Sequence, residues 1–443
     1  MLLLTHAVVI TNDQDNRVIK DGAVLIEGSK IKEIGESKIL ESKYSEAKIK
    51  DVEGRVVMPG MINSHMHLYS TFARGMDLKT DQPPRHFLEI LEKIWWRLDN
   101  HLKADDIYYS ALYAILTGIK QGTTTIIDHH ASYGQIKYSL EIIAKAVEES
   151  GIRADLAYEI SDRNGDLMKN AALKESEEFI KNIAEDKSEY LSARIGLHAS
   201  FTLEDETLAE VSKLADKLNT NFHIHAAEGR LDLEHSRLKG YNGVVKRLAD
   251  YDIWRPGTIA VHGVHLQDEE LEILKENECF LVHNPESNLN NAVGITPLKK
   301  ALAKGVKLCL GTDGYTTDMF ESIKFADLVL KHSSQDPGLG WTEIPEMVFK
   351  RNPELASQSF GVELGVLKKE AAADIIVVDY FPPTEINSDN SYAHILFGMN
   401  GGMVDTTIAA GKILMEDREV QVFDYQKIAY ETREQADDFW QRF

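Results

Sequence analysis

The feature that most constrains this chain is a series of short apolar segments between residues 60 and 312, separated by amphipathic helical patterns. The segments are 60–65, 123–128, 154–159, 194–198, 221–225, 258–262, 279–283 and 307–312. Their number is the one at which parallel strands, each followed by a helix, close into a barrel. We therefore predict an α/β protein whose centre, residues 60–363, is a (β/α)8 TIM barrel.

Strand patterns also occur at both ends of the chain. They cover residues 2–11, 23–26, 31–34, 52–58, 374–379 and 407–413. Glu27 to Lys30 has the composition of a hairpin turn between two of these strands. We predict that residues 1–59 and 364–420 form one small composite β-sandwich domain. Residues 421–443 are predicted to form a C-terminal helix whose apolar face packs on the barrel.

Composition excludes several classes of partner. The net charge is −22 and hydrophobic residues make up 43% of the chain, as in soluble globular proteins. Such a surface repels nucleic acid and anionic membranes, and no apolar run is long enough to span a bilayer. Both cysteines, Cys279 and Cys309, lie in apolar runs, which favours a reducing cytoplasm. A homodimer is expected because dimers are the commonest oligomers.

The first barrel segment ends in a His-x-His pair, His65 and His67. Residues two apart on an extended chain point the same way, so both imidazoles can reach one ion. Strand ends in a barrel of this class converge on one mouth, where active sites lie. Neutral imidazole nitrogens are ligands for zinc or iron. We therefore predict that this pair binds a metal.

Two later strand ends complete the predicted metal site. His225 ends the fifth segment and Asp313 follows the eighth. Glu228, three residues beyond His225, is predicted to reach past the metal and move protons. His223 shares the face of His225 and is expected to support it from behind. Three histidines and one carboxylate leave a coordination position for water, as catalytic rather than structural sites do.

Other histidines lie at the remaining strand ends. His262 ends the sixth segment, where it can stabilise charge on the atom under attack, and His198 ends the fourth, where a substrate contact is expected. His265 lies in a loop and is read as structural. His129 and His130 follow the second segment. Two interpretations remain open for them: they form a further metal site, or they line the cavity.

Three further motifs carry a resemblance to a known family. They are Asp128 to Ser132, His283 to Leu289 and Gly311 to Phe320. Together with the histidine pattern, they make the chain similar to the deaminase and chlorohydrolase branch of the amidohydrolase superfamily, and within it to the SsnA group of aminohydrolases. The resemblance covers essentially the whole chain.

The resemblance implies a role for each motif residue. The metal ligands fall on His65, His67, His225 and Asp313, and Asp313 also accepts a proton during catalysis. Glu228 becomes the proton shuttle, His262 orients the attacking hydroxide, and His198 contacts the substrate. Asn288, in the loop 284–288, and Arg74, in the loop after His67, are expected substrate contacts. The segment 194–198 lacks the lysine that binuclear relatives need, which implies one divalent ion: zinc foremost, with iron or manganese also compatible.

The predicted reaction is the hydrolytic deamination of a purine- or pyrimidine-like nitrogen heterocycle by metal-bound hydroxide. Hydrolytic opening of a cyclic amide or amidine and dechlorination of a triazine are alternatives that use the same centre. A non-catalytic metal-binding partner in purine catabolism is the alternative from another class. The loops that select the substrate depart from those of nucleoside deaminases at Tyr315 to Met319 and at the stretch holding Arg85, His86, Trp95 and Trp96.

Overall fold

The computed structural model describes residues 1–79 and 82–443. The strands are β1 Leu2–Ile10, β2 Val18–Glu27, β3 Lys30–Glu36, β4 Lys48–Asp51, β5 Val56–Pro59, β6 Met61–Met66, β7 Thr123–His130, β8 Arg153–Ile160, β9 Leu191–Ala193, β10 Ile195–Ala199, β11 Phe222–Ala226, β12 Ile259–His262, β13 Phe280–His283, β14 Lys307–Leu310, β15 Ile375–Val378, β16 Val404–Ala409, β17 Lys412–Glu416 and β18 Glu419–Val420.

The helices that follow or flank these strands are mostly amphipathic. They are α1 Ser37–Lys43, α2 Phe87–Ile90, α3 Trp96–His101, α4 Ala104–Lys120, α5 Ser139–Ser150, α6 Asp166–Asp186, α7 Asp205–Leu218, α8 Arg230–Leu238, α9 Val244–Ala249, α10 Asp268–Glu276, α11 Pro285–Asn290, α12 Leu298–Lys304, α13 Met319–Ser334, α14 Glu343–Glu346, α15 Asn352–Phe360, α16 Ser391–Gly398 and α17 Tyr425–Arg442. Shorter 3-10 turns cover Leu68–Ala73, Ser200–Thr202 and Gly401–Met403, and π-helical turns cover Leu91–Trp95 and Met347–Arg351.

The central sheet is parallel and runs in the order β6-β7-β8-β10-β11-β12-β13-β14, with β9 paired to β8. Its first and last strands meet where the backbone N–H of Asp313 donates to the carbonyl of His65 at 2.9 Å. Gly311 permits this approach, because a Cβ there would lie 2.8 Å from the His65 backbone. The predicted (β/α)8 barrel is confirmed, and both ends of each of its eight strands lie within two residues of the predicted segment.

The two chain ends share a second sheet. Its order is β18-β17-β16-β15-β5-β1-β2-β3, with β4 beside β1, and the antiparallel pair β5 and β15 joins the N-terminal strands to the C-terminal ones. The sheet folds over on itself, since the N–H of Ala373 donates to the carbonyl of Ser29 in the β2–β3 turn at 2.8 Å. One apolar cluster from β1, β2, β3, β15 and β16 fills the space inside. The composite domain predicted from both chain ends is thus present.

Two strand predictions at the chain ends are wrong. The segment 52–58 contains a turn with positive φ at Glu53 and Gly54, so β5 begins at Val56. The segment 407–413 is not one strand but a hairpin, because Ala410 and Gly411 have positive φ between β16 and β17. Glu53, which is polar, and Gly54 mark the first break, whereas Ala410 continues the apolar run and only Gly411 marks the second.

The C-terminal helix α17 packs on α4 of the same chain. Its Phe439 is buried, the Trp440 indole N–H donates to the carbonyl of Phe72 at 3.1 Å, and Arg442 pairs with buried Asp106 at 2.9 Å. In the described part of the chain, no helix combines the length and the apolar content that crossing a bilayer requires.

The barrel and the composite domain share one buried ion pair. Arg153 Nε, on β8, donates to Asp374 Oδ2 at 3.1 Å, and both side chains are 2% exposed. Asp374 Oδ1 also accepts from the backbone N–H of Ala410 at 2.7 Å. The pair therefore joins the third barrel strand to two segments of the composite sheet.

Replacing Arg153 with methionine is expected to lower the free energy of unfolding by about 3–5 kcal/mol, because it leaves the Asp374 carboxylate buried without a cation. Urea denaturation followed by circular dichroism measures this. Lys43→Met, which removes an ion pair with Glu33 that is open to solvent, serves as the control and should leave the urea midpoint unchanged. Equal midpoints for the two variants would contradict the expectation.

Candidate active site

Four side chains from three strand ends converge at the barrel mouth. His65 lies in β6 and His67 directly follows it, His225 lies in β11, and Asp313 lies among the residues after β14. Asp313 Oδ1 lies 3.1 Å from His67 Nε2 and 3.8 Å from His65 Nε2, and His67 Nε2 lies 3.4 Å from His225 Nε2. The structure thus brings together the four residues that the sequence analysis proposed as metal ligands.

Hydrogen bonds on the far side of each imidazole orient the three histidines. His67 Nδ1 bonds the carbonyl of His129 at 2.6 Å, and His225 Nδ1 bonds the carbonyl of His198 at 2.9 Å. Both Nδ1 atoms act as donors there, so each Nε2 is directed to the centre of the cluster. Although burial opposes it, the hydrogen bond to Asp313 raises the pKa of His67 to about 9, and a metal bound at Nε2 would take the place of that proton.

His65 is oriented by another histidine. Its Nδ1 lies 2.8 Å from Nε2 of His223, which comes from the same strand as His225. This geometry agrees with the expectation that His223 supports the metal ligands from behind. His65 Nε2 is fully buried, and among the described residues it has no hydrogen-bond partner. Leaving a buried nitrogen without a partner costs free energy, so this atom is well placed to bind a metal ion.

The donor set fits a divalent cation. Burial and neighbouring histidines lower the pKa of His65, and they lower that of His225 to about 3, so both rings are neutral ligands. Burial alone would raise the pKa of Asp313, but the hydrogen bond and charge of His67 hold it well below its usual range. Three imidazole nitrogens and one carboxylate are a ligand set for zinc and related metals. Three overlapping groups of metal-ligating atoms lie here, each within 4.8 Å.

Glu228 and His262 lie beside this cluster. Glu228 Oε2 is 3.5 Å from His262 Nε2, which is itself 3.6 Å from Asp313 Oδ2. Burial, together with the charge of Asp313, raises the pKa of Glu228 well above its usual value. A carboxyl group that stays protonated near neutral pH can donate a proton.

Unusual backbone geometry aims these side chains. Ala227, His262 and Asp313 have φ of 53°, 70° and 56°, values that non-glycine residues rarely adopt. Ala227 directly follows β11, His262 ends β12, and Asp313 lies three residues past the end of β14. Such strained residues concentrate at active sites.

Hydrogen bonds fix two further atoms of the site. Ser287 Oγ donates to Asp313 Oδ2 at 2.6 Å, and His262 Nδ1 lies 2.8 Å from Asn288 Oδ1. Asn288 therefore positions His262. The prediction that Asn288 contacts the substrate is therefore corrected: Asn288 positions His262, and Asn290 and Asn291 line the cavity instead.

A cavity opens onto the cluster. His198 lines it, as the sequence analysis expected, and bonds Thr202 Oγ1 through Nδ1 at 2.7 Å. Apolar walls come from Phe87, Leu91, Trp95, Trp96, Phe201, Leu231 and Tyr315. The tryptophans and Tyr315 belong to the loops in which the sequence departs from nucleoside deaminases.

Arg74 is the second predicted substrate contact that does not line the cavity. It is exposed at the end of the 3-10 turn Leu68–Ala73, near Tyr425 of α17. The reason is that this turn carries the chain away from the mouth. Arg85 and His86 are likewise exposed.

His129 and His130 each bond a neighbour. His129 Nε2 bonds the carbonyl of Leu197 at 3.1 Å, and His130 Nε2 bonds Ser132 Oγ at 2.8 Å. His129 lies close enough to His67 and His225 to join a metal-ligating group. Its Nε2 is directed to the carbonyl, whereas its buried Nδ1 has no hydrogen-bond partner among the described residues.

The sequence analysis missed three acidic residues of the cavity, Asp99, Glu159 and Asp232. Asp232 lies in the first turn of α8 and accepts from the backbone N–H groups of Ala227 and Phe201. Glu159 ends a predicted barrel segment, so the strand-end rule that selected the histidines would also have found it. Asp99 lies in the short helix α3, outside the βα pattern, and no motif marks it.

Comparison with known proteins places the chain in a family. The model of the amidohydrolase family matches residues 56–414. A 5'-deoxyadenosine deaminase of Methanosarcina acetivorans is 34% identical over 444 residues, covering 99% of this chain and 98% of the relative. A 5-methylthioadenosine/S-adenosylhomocysteine deaminase of Caldanaerobacter subterraneus is 32% identical, with 98% of each chain covered.

Solved structures share the fold. An adenosine deaminase from Xanthomonas campestris with bound zinc superposes with a TM-score of 0.86 at 21% identity, covering 99% of this chain and 98% of the other. A guanine deaminase from C. acetobutylicum gives 0.79 at 21% identity, covering 93% and 99%. The atrazine chlorohydrolase of Arthrobacter aurescens TC1 gives 0.81 at 20%, covering 98% and 100%.

The family prediction and the prediction of an amidohydrolase-type enzyme are confirmed, while the finer likeness to the SsnA group stays a prediction. The family model spans most of the sequence, and relatives at 34% and 32% identity align over nearly all of it. The chain belongs to the amidohydrolase family.

Proposed function

We propose that this enzyme hydrolytically deaminates the adenine ring of a nucleoside, releasing ammonia. The observation that carries the proposal is the group of three proton-handling side chains, Glu228, His262 and Asp313, along one side of the histidine cluster. Replacing an amino group by hydroxyl requires a proton for the ring nitrogen and another for the leaving amine, and these residues can supply both. The deaminase names of the relatives favour an adenine nucleoside.

The ligands of the proposed metal are His65, His67, His225 and Asp313. When bound, a divalent metal supplies Lewis-acid activation of water near neutral pH. We propose zinc, because three neutral imidazoles suit it and because the structural relatives from Xanthomonas campestris and Arthrobacter aurescens contain it.

Glu228 is the proposed proton donor to the ring nitrogen next to the reacting carbon. Its raised pKa keeps the proton on the carboxyl group until substrate binds. Protonation of the ring nitrogen makes the adjacent carbon a better electrophile. Once ionised, Glu228 can take a proton from the attacking water and return it to the leaving amine.

His262 and Asp313 are the proposed acceptors on the other side. With its Nδ1 proton bonded to Asn288 Oδ1, neutral His262 has its lone pair on Nε2, which can accept a proton. Burial lowers the pKa of His262, so the ring is neutral before the reaction. After it is protonated, Nε2 can donate to the oxygen that has become attached to the ring. Asp313 Oδ2 lies 3.6 Å away, and its negative charge favours the protonated ring.

The aromatic residues of the cavity wall are the groups that we propose orient the substrate. Trp96 and His198 form a T-shaped pair with ring centroids 5.9 Å apart, and both line the cavity. An aromatic purine can pack against such rings, which would place its amino group toward Glu228. The proposed substrate is therefore a small molecule, in agreement with the nitrogen heterocycle predicted from the sequence.

An ammonia-release assay on purified, metal-loaded enzyme tests the proposal. The panel is adenosine, 5'-deoxyadenosine, 5'-methylthioadenosine, guanine and atrazine, with chloride measured for atrazine. Ammonia is expected from the adenine nucleosides, accompanied by conversion of the adenine absorption to that of hypoxanthine. Chloride release from atrazine with no ammonia from the nucleosides would overturn deamination.

A further inference from the structure

Two carboxyl groups and one guanidinium lie on the side of the cavity away from His262. We call Asp99, Glu159 and Arg163 the distal wall. Glu159 ends β8, the third barrel strand, whereas His262 ends the sixth, so they face each other across the mouth. Asp99 and Glu159 line the cavity although they are only 1% and 3% exposed.

Arg163 lies behind the two carboxylates. Its Nη2 lies 2.6 Å from Asp99 Oδ2 and 3.2 Å from Glu159 Oε1. Its guanidinium packs 4.3 Å from the centre of the Tyr133 ring, and Arg163 does not itself line the cavity. The guanidinium therefore binds carboxyl groups of the protein itself. A ligand at this wall would contact the oxygen atoms of Asp99 and Glu159, and not Arg163.

Two carboxyl groups share one guanidinium in this wall. Although Arg163 opposes the effect, burial raises the pKa of Asp99 to about 7, and it also raises the pKa of Glu159. Glu159 Oε2 lies 3.7 Å from His129 Nδ1, beyond hydrogen-bonding distance. Among the described residues that line the cavity, there is no lysine or arginine. A ligand carboxylate at this wall would lose water and gain no cation.

We propose that the distal wall selects nucleosides by charge, accepting 5'-substituents that donate hydrogen bonds and rejecting those that carry a carboxylate. The inference rests on the proposed function. It follows because a ring held at Glu228 and His262 directs the sugar and its 5'-substituent toward the opposite side of the mouth. Hydroxyl and ammonium groups can donate to Glu159 Oε2, whereas a carboxylate would meet like charge.

Three nucleosides of matched size test the proposal: adenosine, 5'-amino-5'-deoxyadenosine and adenosine-5'-carboxylate. For the wild-type enzyme, we expect kcat/KM for the carboxylate to be about 100-fold below that for adenosine, because like charges at a desolvated contact repel strongly. The ammonium compound should match or exceed adenosine. Calorimetry with the three corresponding inosine products gives the same ranking without catalysis.

Glu159→Gln removes one negative charge from the wall and keeps an acceptor oxygen. It should reduce the discrimination against the carboxylate by about 10-fold, since most of the repulsion is lost. The matched control is Glu286→Gln. Glu286 is also a buried glutamate, bonded to Ser322 Oγ at 2.7 Å, but it does not line the cavity. This control should leave the discrimination unchanged.

The outcomes separate the two proposals. If adenosine and its carboxylate are deaminated at similar rates, selection by charge is wrong while the proposed deamination stands. If none of the three nucleosides releases ammonia, the proposed function fails. The binding of the three inosine products then decides the inference. Equal affinities for the three products overturn it, whereas weaker binding of the carboxylate product supports it. The wild-type comparison needs no variant, so a Glu159→Gln protein that fails to fold does not prevent the test.

Discussion

Replacing Glu228 with glutamine is expected to lower kcat by about 10²- to 10⁴-fold, the usual range for the loss of a general acid–base group. Glutamine has nearly the same shape as glutamate, but it cannot give a proton to the ring nitrogen. Glu228 lies beside the proposed ligand set and not within it, so bound metal should remain at the wild-type level. Steady-state ammonia release measures kcat, and elemental analysis of the same sample measures metal.

The burial of Glu228 explains why this effect should be large. Its side chain is 13% exposed, and burial with the nearby charge of Asp313 favours the protonated carboxyl. Water reaches the position poorly, so it cannot easily replace the lost acid. Glu286→Gln, the control used above, should keep both turnover and metal. A Glu228→Gln enzyme with full metal and near-normal turnover would show that another group moves the proton.

The second large effect is expected from the metal ligands. His65→Ala should lower metal affinity by more than about 100-fold, since even groups that merely support a ligand cost 10- to 100-fold. Deamination should fall at least about 10³-fold, because Lewis-acid activation of water is lost. Inductively coupled plasma analysis after gel filtration measures the metal, and the ammonia assay measures the rate.

Structural measurements make this prediction independent of activity. His65 is completely buried, and its Nε2 is without a partner in the described structure, so metal binding should also stabilise the fold. At a thousandfold excess over the dissociation constant, a bound metal adds about 4 kcal/mol to the free energy of unfolding. Chelation should therefore lower the melting temperature of the wild type but not that of His65→Ala.

His130→Gln is the matched control for His65→Ala. His130 is an equally buried histidine at the end of the neighbouring strand, bonded to Ser132, and it belongs to no metal-ligating group found among the described residues. It should retain metal and the response to chelation. If His130→Gln lost metal as fully as His65→Ala, the proposed ligand set would be wrong.

The barrel and its metal cluster could be predicted because their signals are local. Each strand is a short apolar segment with its functional residue at the C-terminal end, and parallel strands of a barrel present those ends at one mouth. His65, His67, His225 and Asp313 therefore converge wherever such a barrel closes. The same rule explains why His262 and His198 were found, and why Glu159, at the end of β8, could have been.

Tertiary packing alone decided the rest. Arg74 was a candidate because it follows the His-x-His pair, but the turn Leu68–Ala73 leads it out to solvent. Asn288 lies on α11. The position of this helix directs Asn288 to His262, while Asn290 and Asn291 line the cavity. The direction of a side chain on a short helix depends on how that helix packs, which no spacing in the sequence records.

The distal wall shows the same limit most clearly. Asp99 and Arg163 are 64 positions apart, on a helix and in a loop outside the barrel pattern, and they meet Glu159 because α3 folds over the mouth. The sequence by itself determined which chemistry gathers at the strand ends, since that follows from alternation and strand direction. Only the tertiary structure decided which charges face the remainder of the substrate, because contacts between loops depend on packing across the whole barrel.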